Sequence, residues 1–287
     1  MEPSVEYYVE RDSKQPPLVR GRGGQGLGLS SLIALVGGAW AFAQPLTGER
    51  LETLALASAL ILAGWIFLWR MLTGTDWAAA FRHWLDWEYT ASLPHWPYLQ
   101  GGTPGARLYQ ALGQARSWWQ HVGADNLARP LRSALLALVV ALLLSAALGR
   151  TAVLLSFLFL TWSELTALWS EGSGRPGAFG EAVACVGLPW LLGASLSGSI
   201  PPLALLSALA VTLLFAGHVR PGWQAAVGPL LVGLFLLWQG APLATGVVFL
   251  LAFPGLWLSV QGVQEDRYRG AVSPWLAGML LVVAGVL

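Results

Sequence analysis

The chain has 287 residues, of which 55% are hydrophobic and 11% are charged, and its net charge is +1. A soluble globular domain carries about 25% charged residues, so the composition excludes a water-facing enzyme and a disordered chain. The small net charge leaves no excess of cations for phosphates, which excludes nucleic acid as a partner. The class that remains is a multi-pass protein of the cell membrane, with the lipid bilayer as its first partner.

The predicted fold class is all-α. Residues 1–28 are polar and predict a mobile N-terminal tail, and residues 29–287 predict a single transmembrane helical domain. Arg, Pro, Gly or acidic residues separate the apolar runs, which predict nine spans of about the length that a bilayer requires. These spans are residues 29–46, 52–72, 132–148, 151–169, 181–198, 202–218, 225–240, 243–262 and 272–287.

The distribution of basic residues predicts the orientation of these spans. With the N-terminus in the cytoplasm and the C-terminus outside, 14 of the 16 basic residues fall on the cytoplasmic side. Only Arg50 and Arg150 fall on the other side. Cytoplasmic loops of membrane proteins carry such an excess of Lys and Arg, and one span more or fewer would remove the asymmetry.

Residues 73–131 form a long, Trp-rich cytoplasmic loop between the second and third predicted spans. It holds six of the 16 tryptophans and two amphipathic stretches, at 76–89 and 105–122. One interpretation places both stretches in the headgroup plane, anchored by Trp and Arg. Another makes the loop a cap over a cytoplasm-facing pocket, in which aromatic side chains such as Trp84 and Trp87 contact an apolar or isoprenoid substrate.

Few charged or ionisable residues lie within the predicted spans. Glu164 lies in the fourth span, where a carboxylate is a candidate functional group or, alternatively, reaches the membrane interface or pairs with an Arg such as Arg175. His218 ends the sixth span and is either a substrate-binding group or a structural hydrogen-bonding residue. The single cysteine, Cys185, excludes an intrachain disulfide and a two-cysteine metal or redox motif.

Several features together resemble the UbiA-like family of intramembrane prenyltransferases. The predicted topology of this chain has nine helices, a cytoplasmic N-terminus, a long second cytoplasmic loop and short outer loops. Residues 125–133, Asp-Asn-Leu-Ala-Arg-Pro-Leu-Arg-Ser, are similar to the segment before the third helix of that family. Residues 181–198, with Gly187-Leu188-Pro189-Trp190 and Gly193, are similar to its fifth helix.

The resemblance implies transfer of an isoprenoid chain from a diphosphate, with magnesium held by two Asp-rich motifs. Here the first motif is broken, because Asp76 and Asp86 are ten residues apart, and residues 218–224 contain no acid where the second is expected. Magnesium on a diphosphate needs carboxylates that converge from separate loops. The candidate catalytic carboxylates are Asp76, Asp86, Glu88 and Asp125, and magnesium would bind Asp76, Asp86 and Asp125. The candidate diphosphate-binding cations are Arg129, Arg132, Arg175 and Arg220.

Two other functions are compatible with the sequence. The chain is alternatively a non-catalytic scaffold, or a subunit that binds a membrane protein partner. A small transporter is the third hypothesis, although the predicted spans lack the paired midplane charges that ion relays use. No motif predicts a cofactor other than magnesium.

Overall fold

A computed structural model of the protein describes residues 27–42, 48–75, 84, 87, 98, 102–124, 127–169, 177–219 and 224–287. Ten helices and no strand occur in these ranges, which agrees with the predicted all-α class. The helices are α1 (Leu27–Phe42), α2 (Gly48–Gly74), α3 (Pro104–Trp118), α4 (Ala128–Leu148), α5 (Arg150–Trp169), α6 (Ala178–Ser195), α7 (Pro202–Val219), α8 (Gln224–Trp238), α9 (Pro242–Val260) and α10 (Glu265–Val286).

Three helices contain or continue into a π-helical turn, in which a backbone N–H reaches back five residues. These turns are Leu60–Trp65 in α2, Trp119–Gly123 after α3 and Val183–Gly187 in α6. In α6 the N–H of Leu188 donates to the carbonyl of Val183. A π-helical turn adds one residue to the helix and therefore changes which face the following residues present.

Each predicted span falls on one of these helices, within a few residues at most ends. The largest difference is at α10, which begins at Glu265, whereas the apolar run predicted a start at residue 272. Tyr268 N–H donates to Gln264 O at 2.9 Å and closes the first turn of α10. The apolar run marks the part of a helix that suits hydrocarbon, but backbone hydrogen bonds decide where the helix begins.

Six helices are long and apolar enough to cross a membrane: α2, α4, α5, α6, α9 and α10. The apolar stretches of α1, α7 and α8 are shorter, at Gly28–Phe42, Pro202–His218 and Ala225–Trp238. Large apolar side chains are exposed along these helices, among them Leu143 on α4 and Leu250 and Phe253 on α9. So much exposed apolar surface is unusual in a protein that water surrounds and suits contact with lipid.

The chain packs as two units, which we describe separately. The larger unit comprises Arg22–Gly74 and Pro130–Leu287, and the smaller unit includes Thr75–Arg129. The predicted loop at 73–131 therefore corresponds closely to Thr75–Arg129 of the smaller unit. The boundary between the units falls within the first turn of α4.

The larger unit has two apolar core clusters, and α6 contributes to both. Val186 and Trp190 of α6 belong to the cluster formed with α1 and α7–α10. Cys185 and Leu188 belong to the cluster formed with α2, α4 and α5. In the apolar 18-residue stretch of α6, 72% of the residues are buried, against 17–39% in the corresponding stretches of the other five candidate spans. Helix α6 is therefore the central helix of this unit.

Helix α1 crosses α6 at backbone contact distance, because glycine is present on both helices. A Cβ at Gly193 would overlap Leu35 O and lie 2.7 Å from Ala39 N, both on α1. A Cβ at Gly38 would overlap Trp190 O of α6 and lie 3.2 Å from Ala194 N. Small residues allow such approaches between membrane helices, where close van der Waals packing drives association.

Candidate functional site

Six predicted site residues lie outside the part of the chain that the structure describes. They are the four carboxylates and two of the arginines: Asp76, Asp86, Glu88, Asp125, Arg175 and Arg220. The magnesium site made from these carboxylates therefore stays a prediction. Among the residues that are described, no three His, Cys, Asp or Glu side chains lie close enough to share a metal ion.

Three further predicted residues have exposed side chains in the structure. Arg129 and Arg132 lie in the first two turns of α4, and Glu164 lies five residues before the end of α5. The buried face of α5 is formed by residues such as Phe159 and Ser163, whose hydroxyl donates to Phe159 O at 2.7 Å. Glu164 is thus on the outer surface of α5, a position that suits a carboxylate near the membrane interface.

Trp84 and Trp87, predicted to line a pocket, are both half-buried and are held by one glutamine. The side-chain amide of Gln114 on α3 donates to Trp84 O at 3.2 Å and to Trp87 O at 2.8 Å. The Trp87 ring also stacks on His121, with 6.1 Å between ring centroids. The structure therefore brings these two tryptophans together on one face of α3.

An ion pair joins the first turn of α6 to the first turns of α10. Arg269 donates from its two terminal nitrogens to the two carboxylate oxygens of Glu181, at 2.9 and 3.2 Å. Glu181 is buried, whereas the Arg269 side chain is 30% exposed. A carboxylate removed from water needs such a bidentate partner, so the pair fixes the two helices at this end of the larger unit.

One turn further along α6, Cys185 lies in the π-helical turn and is fully buried. Ser31 of α1 and the Glu181–Arg269 pair lie near its thiol. Ser31 is itself fully buried. Polar side chains of α1, α6 and α10 thus extend from the ion pair into the interior.

His218 is buried at the end of α7, a position that is compatible with either of its two predicted roles. Its Nδ1 is 2.9 Å from Leu214 O, so Nδ1 carries the proton and Nε2 is left as an acceptor. Nε2 has no hydrogen-bond partner among the described residues. A Cβ at Gly255 of α9 would lie 3.1 Å from the imidazole and 3.5 Å from Val272 of α10, so the ring fills the space that Gly255 leaves.

Tyr268 is a second buried group at the same end, next to Arg269 in the first turn of α10. Its hydroxyl is fully buried and, within the described ranges, has no hydrogen-bond partner. Buried hydroxyl groups normally bond to protein or ordered water. His218 Nε2 and Tyr268 Oη are therefore available to water or to a polar group that reaches this end of the larger unit.

A groove with a volume of about 290 Å³ runs between α5, α6 and α7. Leu158, Leu205 and Leu209 at its rim are half-exposed, so the groove opens at the outer surface of the larger unit. Its volume is at the small end for ligand pockets, which measure about 300–1,000 Å³. The lining residues are Leu158, Trp162, Val183, Gly187, Leu188, Leu191, Leu205, Ala208, Leu209 and Thr212.

The two polar side chains in this groove are already hydrogen-bonded to backbone. Trp162 Nε1 donates to Gly180 O at 3.0 Å, and Thr212 Oγ1 donates to Ala208 O at 2.6 Å. With these groups engaged, the walls present apolar surface. Such a groove can hold a hydrocarbon chain, and its walls offer no free polar group that would select a particular headgroup.

Sequence reasoning missed the Glu181–Arg269 pair. Glu181 stood at the edge of a predicted span, and Arg269 counted only toward the charge asymmetry. The available signal was that predicted topology put both residues at cytoplasmic ends of spans. Since 88 residues separate them, the chain gives no local sign that they pair.

Comparison of this chain with protein-family models, curated proteins and solved structures finds no match.

Proposed function

We propose that the protein is a multi-pass membrane protein that binds an isoprenoid or other lipid chain in the α5–α7 groove. In this proposal all nine apolar helices span the bilayer in a UbiA-like arrangement, with the N-terminus in the cytoplasm. The observation that supports it is the groove itself, which has a volume of about 290 Å³, apolar walls and a rim of half-exposed leucines. A single chain in the bilayer can enter such a groove sideways.

As an enzyme, the protein would transfer a prenyl group from a diphosphate, as the UbiA-like resemblance implies. The groove would hold part of the chain, and Arg129, Arg132, Arg175 and Arg220 would neutralise the leaving diphosphate. Asp76, Asp86 and Asp125 would hold the magnesium ion. This chemistry depends on residues at the cytoplasmic ends, and the described groove supplies only chain binding.

A non-catalytic scaffold or subunit that keeps a bound lipid is the second candidate. The hydrogen bonds of Trp162 N–H and Thr212 O–H favour it. Both groups are bonded to backbone carbonyls, so the groove walls present no reactive group to a chain. Magnesium dependence separates the two candidates, since a scaffold has no use for the ion.

The test compares two neighbouring leucines of α7 that are similarly exposed, at 54% for Leu205 and 48% for Leu206. Leu205 lines the groove and Leu206 does not. Thermal unfolding of detergent-purified protein is measured with geranylgeraniol and with geranylgeranyl diphosphate, each with and without magnesium. A ligand at 100 times its Kd stabilises the folded state by about 2.7 kcal/mol.

We expect both ligands to raise the Tm of the unaltered chain and of Leu206→Trp, but not of Leu205→Trp, whose indole fills the groove. A further rise that needs both diphosphate and magnesium supports the enzyme, and a rise with either ligand that magnesium does not change supports the scaffold. Equal shifts for the two variants would refute chain binding in this groove.

A further inference from the structure

Helix α3 in the smaller unit carries an exposed apolar stripe. Leu108 and Leu112 are each 62% exposed, and Trp119 at the following π-helical turn is 38% exposed. These residues are four and seven positions apart, so they lie on one face of the helix. The stripe thus leaves large apolar side chains uncovered in a segment that lies outside the apolar spans.

The opposite face of α3 is polar; Gln110 on this face is exposed, and nearer the end of the helix the chain itself occupies the face. Gln114 holds the Trp84 and Trp87 carbonyls there, and Trp87 stacks on His121. Because Gln114 and His121 on the polar face are engaged while Leu108 and Leu112 are exposed, α3 presents apolar side chains outward, the reverse of a helix that packs on a soluble core.

Two exposed arginines lie beside the apolar stripe at different angles. At about 100° per residue, Arg116 lies about 60° from the middle of the stripe on one side, and Arg107 lies about 120° from it on the other, next to Gln114 on the polar face. Residues 102–124 contain no acidic residue. Cations that flank an apolar stripe keep their charge at headgroup level while the stripe enters the acyl region.

The chain also keeps the end of α3 close to the start of α4. Gly123 is five residues from Ala128, where the candidate span of α4 begins, so at most about 18 Å of extended chain separates them. Leu127 N–H donates to Gly123 O at 2.8 Å, which shortens the connection further. The end of α3 therefore stays within reach of the interface that α4 enters.

We infer that α3 docks in the plane of the membrane and binds anionic lipid, with Leu108, Leu112 and Trp119 in the acyl region and Arg107 and Arg116 on anionic headgroups. None of these residues lines the α5–α7 groove, so membrane docking of α3 does not depend on whether the groove binds a chain. Each Arg near an anionic leaflet contributes roughly fivefold to association, so the two arginines together favour the docked state by about 25-fold.

The experiment uses the full chain in lipid nanodiscs, with a nitroxide label at Leu112→Cys on the stripe or at Gln110→Cys on the exposed opposite face. The native Cys185 is fully buried, so the unaltered chain gives the labelling background. Accessibility of the nitroxide to oxygen and to a water-soluble nickel chelate is measured in phosphatidylcholine discs with and without 30% phosphatidylglycerol.

In discs with phosphatidylglycerol we expect the Leu112 label to be at least about threefold less accessible to nickel than the Gln110 label, and accessible to oxygen. Arg107→Gln with Arg116→Gln, or removal of phosphatidylglycerol, shifts the Leu112 label back toward nickel. Equal nickel accessibility at both sites overturns the inference. A Leu112 label shielded from both reagents also overturns it, because protein then covers the stripe.

Discussion

The glycine at position 193 gives the sharpest test of how the larger unit is held together. In Gly193→Ala, the new methyl group would overlap the backbone of α1 at Leu35 and lie 2.7 Å from Ala39 N. Ordinary Cβ contacts begin at about 3.4 Å. Neither neighbour can turn away, since both atoms belong to the backbone of a helix, so α1 must move outward by about 0.7 Å or more.

The cost of that movement follows from packing. A gap of about 0.5–1 Å removes a quarter to a half of the dispersion energy of each contact, and overpacked cores lose about 1–3 kcal/mol. A gain of up to about 1 kcal/mol in helix propensity opposes this loss. We therefore expect Gly193→Ala to reduce the free energy of unfolding by about 2 kcal/mol.

Gly246→Ala is the matched control, because Gly246 is also helical and nothing lies within 4 Å of its Cβ position. Unfolding is followed by tryptophan fluorescence during titration with sodium dodecyl sulfate in mixed micelles. Gly246→Ala should be neutral or slightly stabilising. If Gly193→Ala were as stable as Gly246→Ala, the backbone contact between α1 and α6 would be refuted.

A double variant extends the same test to the other side of the crossing. Gly38→Ala places its methyl against Trp190 O of α6, and we expect a similar loss. Because either substitution already separates the helices, the two losses should not add; the double variant should lose clearly less than their sum. Strict additivity would mean that the two glycines report on different contacts.

Two further predictions concern polar contacts between helices in the larger unit. Arg269→Gln leaves the buried Glu181 carboxylate without its bidentate partner and should lower the free energy of unfolding by about 3 kcal/mol. Adding Glu181→Gln should recover more than half of that lost stability. If no stability were recovered, the ion pair would be excluded as the cause of the loss. Ser156→Ala removes the acceptor of the Trp65 indole N–H, 3.0 Å away between α2 and α5, and should cost about 1–2 kcal/mol in the same titration. Ser259→Ala is its control, because that hydroxyl bonds within its own helix to Leu256 O, and similar losses for the two serines would contradict the interhelical role.

The positions of the helices could be predicted from the sequence because the signals are local. Apolar runs end at Arg, Pro or Gly, and these residues lie near the observed ends of most helices. The start of α10 at Glu265 escaped prediction, since its first two turns carry Arg267 and Arg269 and no apolar run. Hydropathy reports the part of the helix that suits lipid, and polar turns beyond it can still be helical.

The candidate site was harder to predict, because it depends on which way each helix faces. A helix that is apolar all round has no face that marks the interior. Glu164 was selected for its depth in a span, yet it lies on the outer surface of α5. Glu181, at the edge of a span, is the buried carboxylate. The sequence gives the depth of a residue in a span but not its direction, and pairing across 88 residues adds a second unknown.

The π-helical turn of α6 lies between two contacts that face different neighbours. Glu181 precedes it and pairs with α10, whereas Gly193 follows it and meets α1. One residue corresponds to about 100° of rotation about the helix axis. The turn therefore rotates the second half of α6 about the helix axis relative to the first half. Without the extra residue, a regular α6 that kept Glu181 on Arg269 would carry Gly193 about a quarter-turn away from the α1 backbone.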